Sequence, residues 1–299
     1  MTIGNSIPGV VSVGRLYCDL IFTDLPREPS LGTEVYAGGF GIHAGGGACI
    51  TAAHLAGFGR RTHLAAYLPG PPFDTILRSK IEAVGVDLRL SRSAASHLPP
   101  QTTAALVTNG DRAFVTHRCG PAAPRLDPDE LHKLGIGHLH IGELATLVEM
   151  PELLNIAFAA GLTVSLDCSW DETITAADAA QLIAGVDVFL PNAAEAQRLV
   201  DIGVSAPFAP LTVIKEGAGG ARAYSQGREI KMPTTYVKAV DTTGAGDAFN
   251  AGFLHHWLAS RDIEAALRAG NEAGGRAVQI AGGFDPKPAR APAKHANLA

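Results

Sequence analysis

Cysteine is scarce in this chain. The four present (Cys18, Cys49, Cys119 and Cys168) stand far apart, with no Cys-x-x-Cys pair. That spacing argues against a disulfide scaffold or a zinc site and reads as free thiols in a reducing compartment. Charged residues are only 18%, and Lys and Arg never gather into a block on a chain of net charge −5. Nucleic-acid binding therefore has no electrostatic support. No apolar run reaches the length of a membrane span, and no basic segment precedes an apolar run near Met1. The expectation is a soluble, cytoplasmic protein with neither nucleic acid nor membrane as partner. The phosphate-loop pattern Gly-x-x-x-x-Gly-Lys-[Ser/Thr] is missing too. Histidine is better represented, but His138 with His140 and His255 with His256 lack metal-ligand spacing and read as structural. What is plentiful is apolar residue, 46% of 299. That supports a substantial core, excludes global disorder and permits one large α/β domain or two small ones.

The first half mixes short strands with Gly-rich and Pro-rich connections. Val10 to Gly14 reads as a buried strand, with Leu20-Ile21-Phe22 and Thr33 to Tyr36 as short strand candidates. A Gly-rich segment, Gly38 to Gly47, then leads into a helix through Ile50 to Ala56. Thr62 to Leu68 reads as a strand and Phe73 to Val84 as a helix. Thr103–Thr108 and Arg112–Thr116 flank Asn109-Gly110-Asp111, a strong hairpin signal. From His138 the pattern alternates strictly. Strands at 138–141, 163–167, 186–190 and 211–215 are separated by helices at 151–160, 176–184 and 193–200. Apolar strands alternating with helices predict a parallel sheet covered on both faces. Asp262 caps a last long helix, and the segment from Pro286 to Ala299, rich in Pro, Ala and Lys, reads as a loose tail.

The most informative stretch runs Ala239-Val240-Asp241-Thr242-Thr243-Gly244-Ala245-Gly246-Asp247-Ala248-Phe249. Val237 to Val240 is apolar enough to finish a strand, and Asp241-Thr242-Thr243 can turn the chain. Phe249, Phe253 and Trp257 then recur at helical spacing. Gly244, Ala245 and Gly246 therefore stand where a helix begins. There the backbone N–H groups lack intrahelical partners and the dipole is positive, which makes an anion site. Asp247 beside such a cradle suits a general base that deprotonates a hydroxyl attacking a bound phosphoryl group, although a first-turn Asp alone is ordinarily a cap.

This stretch resembles the C-terminal signature of the ribokinase-like, or PfkB, carbohydrate kinases. The resemblance implies a three-layer α/β fold, a mostly parallel central sheet flanked by helices with a small β lid, and ATP-dependent phosphorylation of a sugar or nucleoside hydroxyl. On it, residues 1–285 form one kinase domain, the lid comes from about 15–40 and 98–118, Asp247 is the base, and Gly244, Ala245 and Gly246 form the anion hole. Gly45-Gly46-Gly47-Ala48-Cys49-Ile50 matches the family's N-terminal Gly-Gly motif, where backbone approaches the sugar. One departure stands at Ile50, where the family usually has Asn, so the usual ribose or fructose assignment does not carry over directly. Asp19 matches the family's early substrate-binding Asp, and two acceptor oxygens suit adjacent hydroxyls. Thr103, Arg112 and Glu143 are further candidates for the sugar pocket. Asn192 and Glu195 match an Asn-x-x-Glu motif in which Glu195 helps hold Mg²⁺ through water, while Asn192 followed by Glu195 is also a plain capping pattern. Lys215, Gly217 and Gly220 resemble the loop that passes ATP, and Asn271 with 277–283 would flank adenine. Asp241, Thr243, Ala277 and Gly282 match positions that hold a monovalent cation such as K⁺ in some members. Homodimers joined through the lid are common among proteins it resembles. The alternatives are a nucleoside (adenosine-like) kinase and a catalytically inactive ligand-binding member of the fold. Gly39-x-Gly41-x-x-Ala44 formally fits a dinucleotide fingerprint, but no acid follows at the required distance.

Overall fold

A computed structural model describes residues 8–108, 112–169, 171–239, 241–279 and 282–284. The Asn109-Gly110-Asp111 turn, the Arg112 side chain, Val240 and the 286–299 tail lie outside the described residues. The strands are β1 (Gly9–Val13), β2 (Tyr17–Thr23), β3 (Gly39–Gly45), β4 (Thr62–Ala65), β5 (Tyr67–Leu68), β6 (Arg92–Ser93), β7 (Thr102–Val107) and β8 (Arg112–His117). They continue with β9 (Ile136–Ile141), β10 (Thr163–Asp167), β11 (Val188–Leu190), β12 (Leu211–Lys215), β13 (Ala221–Ser225) and β14 (Arg228–Met232). The helices are α1 (Gly47–Gly57), α2 (Phe73–Ala83), α3 (Pro128–Lys133), α4 (Leu144–Glu149), α5 (Glu152–Ala159), α6 (Ala176–Ala184), α7 (Ala193–Asp201), α8 (Ala245–Ser260) and α9 (Ile263–Ala277).

The main sheet runs β14-β13-β12-β11-β10-β9-β1-β4. From β4 to β12 every pairing is parallel, and β13 and β14 add an antiparallel edge. Its central strands are apolar because helices cover both faces: all five residues of β1 are buried. On one face β9, β10 and β11 pack against α4, α5 and α6 through Leu139, Ile141, Leu153, Leu166 and Phe189. On the other, α8 lays Phe249, Phe253 and Trp257 against Val188, Leu190 and Val213. The chain leaves β1 toward β4 on one side and reaches β9 on the other, so strand order reverses between β1 and β9. That is where open α/β sheets hold ligands, beyond the carboxyl ends of the strands. Gly14 and Arg15 follow β1 there, and Gly142 and Glu143 follow β9.

A second sheet, β3-β2-β7-β8, stands over that end. The structure corrects several expectations. The Gly-rich segment, given no element from sequence, forms β3 over residues 39–45, zipped antiparallel to β2 from Thr23↔Gly39 to Tyr17↔Gly45. Thr33 to Tyr36 makes no strand and lies on the surface, where Arg27 bonds Thr33 Oγ1 and the Glu34 carbonyl. The 62–68 strand is two, β4 and β5, and 237–239 is irregular. The β13–β14 hairpin, α3 and α4 were not anticipated. Among the described residues no helix is long and apolar enough to cross a membrane.

Candidate active site

Two helix N-termini meet at the carboxyl end of the sheet. Four helices carry side-chain caps: Asp127 on α3, Thr175 on α6, Asn192 on α7 and Asp262 on α9. α1 and α8 carry none and start instead on glycines of positive φ. Their N-caps are Gly46 at φ 95° and Gly244 at φ 71°. Left-handed backbone there lets the chain turn without a Cβ, and a Cβ on Gly244 would sit 2.9 Å from Gly283 Cα. The first-turn amides of α8 face a cavity of about 380 Å³. Lys215, Gly217, Gly220, Asn271, Ala245 and Gly246 all line it. Irregular residues 234–237 form the opposite wall. Asn271 pins that wall, since its Nδ2 donates to the Met232 carbonyl at 2.9 Å.

A second group of polar side chains gathers under the lid sheet. Asp19 lies flat against Gly45, so that a Cβ on Gly45 would overlap the carboxylate. Thr103, opposite Asp19 in the β2–β7 pairing, hydrogen-bonds it and lies 3.2 Å from Thr116 Oγ1. Burial pushes the Asp19 carboxyl up to about 7, with the Thr103 bond opposing. Glu143 caps the gap between β9 and α4. Its Oε1 accepts from Thr146 Oγ1 at 2.8 Å, and burial raises its pKa. Tyr17 packs beside Gly46, and Arg118 donates to Asp171 Oδ2 at 2.6 Å and bonds the Tyr17 hydroxyl. Arg15 is buried and committed, to Gln101 Oε1 at 2.8 Å and to Glu149. Ile50 is 4% exposed and wedged between Gly244 and Gly283, where a Cβ on Gly283 would stand 2.6 Å from Ile50 Cδ1.

Asp247 joins the cavity to this group. It follows the Gly244–Gly246 turn, and its Oδ1 lies 3.0 Å from where a Cβ on Gly47 would be. Gly47 immediately follows Gly45 and Gly46. Burial, and next the charge of Asp167, push the Asp247 carboxyl well above the ordinary range, with Lys215 pulling the other way.

Asn192 and Glu195 form a complete capping box: Glu195 N–H donates to Asn192 Oδ1 at 2.9 Å and Asn192 N–H donates to Glu195 Oε2 at 2.7 Å. The pair also sits beside Lys215, whose N–H donates to the Pro191 carbonyl at 2.9 Å. Asp241 bonds two of the three residues expected around it. Its Oδ1 accepts from Thr243 N–H at 2.8 Å and its Oδ2 from Gly282 N–H at 2.9 Å. Ala277 is one residue before Val278, whose carbonyl accepts the Asp241 N–H at 3.1 Å.

Sequence reasoning missed Asp167, Asn250, Tyr17, Arg118 and Asp171. For Asp167 a signal existed: a carboxylate at the carboxyl end of a central strand. Asn250 offered another, as the one polar side chain in an otherwise apolar run from Ala248 to Leu254. Arg118 and Tyr17 come together only through lid geometry.

The fold and this site define an α/β enzyme that brings a bound phosphate group to a second substrate. The sequence matches the pfkB family carbohydrate kinases over residues 8–290, and the chain belongs to that family. It is 27% identical over 279 residues to an ATP-dependent ribose-1-phosphate kinase of Halopiger xanaduensis, covering 89% of this chain and 90% of that protein. A shorter match to an uncharacterized sugar kinase of Archaeoglobus fulgidus is 32% identical over 123 residues, 37% of this chain and about half (47%) of that one. Among solved structures, fructokinase with bound ATP from Xylella fastidiosa superposes with TM-score 0.79 at 21% identity, over 95% of this chain and 96% of that one. The nucleoside kinase of Methanocaldococcus jannaschii superposes with TM-score 0.76 at 17% identity, over 93% and 94%.

Proposed function

We propose that this chain transfers the γ-phosphoryl group of ATP to a hydroxyl of a sugar or sugar derivative. The observation that carries this is the place of Asp247: on an uncapped helix turn, between a nucleotide-sized cavity and the Gly45–Gly47 backbone that Asp19 lies against. The nucleotide lies along Gly217, Gly220 and Asn271 with its phosphates toward the α8 amides. Sugar hydroxyls bind Asp19, Glu143, Thr103 and the Gly45–Gly46 backbone. The attacking hydroxyl gives its proton to Asp247 as its oxygen bonds to the γ-phosphorus and the bond to ADP breaks. The N–H groups of the Gly244–Gly246 turn take the charge that develops on the phosphoryl oxygens. The lid sheet, closing over Asp19, would keep water from competing.

Mg²⁺ fits Glu195 as an outer carboxylate, since the capping box holds one carboxylate oxygen and Mg²⁺ keeps most of its waters; when bound it neutralises the phosphates. The Asp241 carboxylate oxygens each accept one backbone N–H, from Thr243 and Gly282, and keep lone pairs that suit K⁺, which would stiffen the anion turn. Phe40 and Val115, 60% and 67% exposed on the lid, are where a homodimer would join.

Two relatives matched over most of the chain support an acceptor class. A ribose-1-phosphate kinase and, at 28% identity over 257 residues, a fructokinase of Rhizobium leguminosarum point to a furanose-forming sugar or its phosphate. The test is ADP release with ATP and Mg²⁺ across pentoses, pentose phosphates, ketohexoses, keto-sugar acids and nucleosides. Asp247→Asn is expected to lose about 10²–10⁴-fold in turnover while still binding ATP. Near-normal turnover in that variant refutes the role of Asp247, and a nucleoside as best acceptor refutes the sugar reading.

A further inference from the structure

Three buried polar side chains meet at the foot of the anion turn and have no part in the transfer step as described so far. Lys215 ends β12, Asp167 ends β10, and Asn250 lies in the second turn of α8. Lys215 Nζ donates to Asp167 Oδ1 at 2.9 Å and to Asn250 Oδ1 at 3.2 Å. Asn250 Nδ2 closes the ring by donating to Asp167 Oδ2 at 2.6 Å. Asp167 is 4% exposed and Asn250 fully buried.

An ammonium carries three N–H donors. Two are committed here, and among the described residues the third has no partner. Its surroundings are the phosphate end of the nucleotide cavity. Lys215 lines that cavity together with Gly246, and a Cβ on Gly246 would stand only 3.4 Å from Nζ. The ammonium therefore sits beside the amides that would receive the γ-phosphoryl group. Burial works against its charge, but Asp167 and then Glu195 outweigh that and hold it protonated.

A purely structural role explains this poorly. A buried ion pair returns little stability against its desolvation, and apolar residues of similar size usually do as well or better. A pair that also fixes the direction of a cation at a cavity wall does something apolar residues cannot.

We propose that Lys215 is a catalytic residue for the transfer, with Asp167 and Asn250 as positioning residues. Its third N–H meets a γ-phosphoryl oxygen and bonds it more strongly as charge gathers there. The lysine transfers no proton: the acceptor proton goes to Asp247, the acceptor oxygen gains the phosphorus, and ADP leaves with the electrons of the broken bond. This rests on the kinase reading above.

The test compares Lys215→Met with the wild type in turnover and in titrations with ADP and with the non-hydrolysable analogue AMP-PNP, each with Mg²⁺. The expected result is a loss of about 10²–10³-fold in kcat, the usual effect of removing one oxyanion donor. AMP-PNP affinity is expected to fall about tenfold, the scale of one charge-assisted bond, with ADP changed less than about threefold. Asp167→Asn is expected to lower kcat while leaving KM for the acceptor and ADP affinity in place. The double variant Asp167→Leu/Lys215→Met, which removes both charges, guards against misfolding: it is expected to recover the thermal midpoint but not the turnover. Turnover of Lys215→Met within about threefold of wild type, equal losses for ADP and AMP-PNP, or turnover recovered in the double variant each overturn the proposal. If the wild type phosphorylates nothing, the kinase reading fails by itself, and the ADP against AMP-PNP comparison still decides the placement of Lys215.

Discussion

Asp19→Asn separates binding from stability in a way that pH exposes. Asp19 sits against the Gly45 backbone under the lid, and burial lifts its carboxyl from an ordinary 3.8 to about 7. Between those values the folded chain holds a proton that the unfolded chain has lost. Stability from this group is therefore greatest at low pH and drains away as pH rises through 4 to 7. About three pKa units at about 1.4 kcal/mol each set a ceiling of about 4 kcal/mol. Asp19 keeps part of its surface in water, and the Thr103 bond favours the charged form, so about 1–2 kcal/mol is the expected size. Asn keeps the shape and has no charge to strand. The variant should therefore be no better than wild type near pH 4 and gain on it steadily up to pH 8, by about 2–5 °C in Tm for a chain of this length. Circular-dichroism melts at pH 4, 5, 6, 7 and 8 read the gap directly. The same substitution should weaken sugar binding about 10–100-fold, since hydrogen bonds to a charged acceptor are lost. A Tm gap flat across that range, or a wild type that gains on the variant as pH rises, refutes the placement of Asp19 as a desolvated carboxylate.

Gly45→Ala drives a methyl group into the Asp19 carboxylate; KM for the sugar should rise at least about tenfold with ATP affinity unchanged, as steady-state kinetics with each substrate varied would show. Gly244→Ala forces a left-handed residue of φ 71° to carry a Cβ 2.9 Å from Gly283 Cα, which should cost about 1–2 kcal/mol in urea unfolding and more than tenfold in kcat. The acid limb of kcat/KM should fall tenfold per pH unit with an apparent pKa above the ordinary carboxylate range, because burial raises Asp247; a limb below pH 4 would contradict that.

The alternating strands and helices from His138 onward were legible because the central strands are buried on both faces and α6, α7 and α9 begin at side-chain caps. Thr163–Asp167, Ala176–Ala184 and Leu211–Lys215 fall where the pattern puts them. The Gly-rich segment misled for a physical reason. Glycine has no strand preference of its own, and β3 exists because β2 offers it seven residues of pairing. The β13–β14 hairpin hides similarly, since Ala221–Ser225 and Arg228–Met232 are polar strands on an edge, with no apolar run to announce them. Within the site, the residues that glycine spacing marks could be read: Gly45, Gly46, Gly244, Gly246 and Asp247. Those that meet only in three dimensions could not. Asp167 and Asn250 are 83 residues apart, and Tyr17 reaches Arg118 only because the lid strands lie over the sheet.

Ile50 draws the two halves of the site together. As a departure from the family pattern it reads as a lost hydroxyl contact. In the structure its side chain faces away from solvent, touching Gly244 and Gly283 and joining the apolar cluster of Leu16, Cys18 and Phe284. Helix α1 therefore carries the Gly45–Gly46 wall at its start and a buttress for the anion turn one turn later. A polar amide at that position would need partners, and the neighbouring Gly283 carbonyl is already taken by His54 Nε2 at 2.9 Å. With an apolar residue there, the kinase reading proposed above leaves hydroxyl recognition to Asp19 and Glu143, both carboxylates that burial has pushed upward.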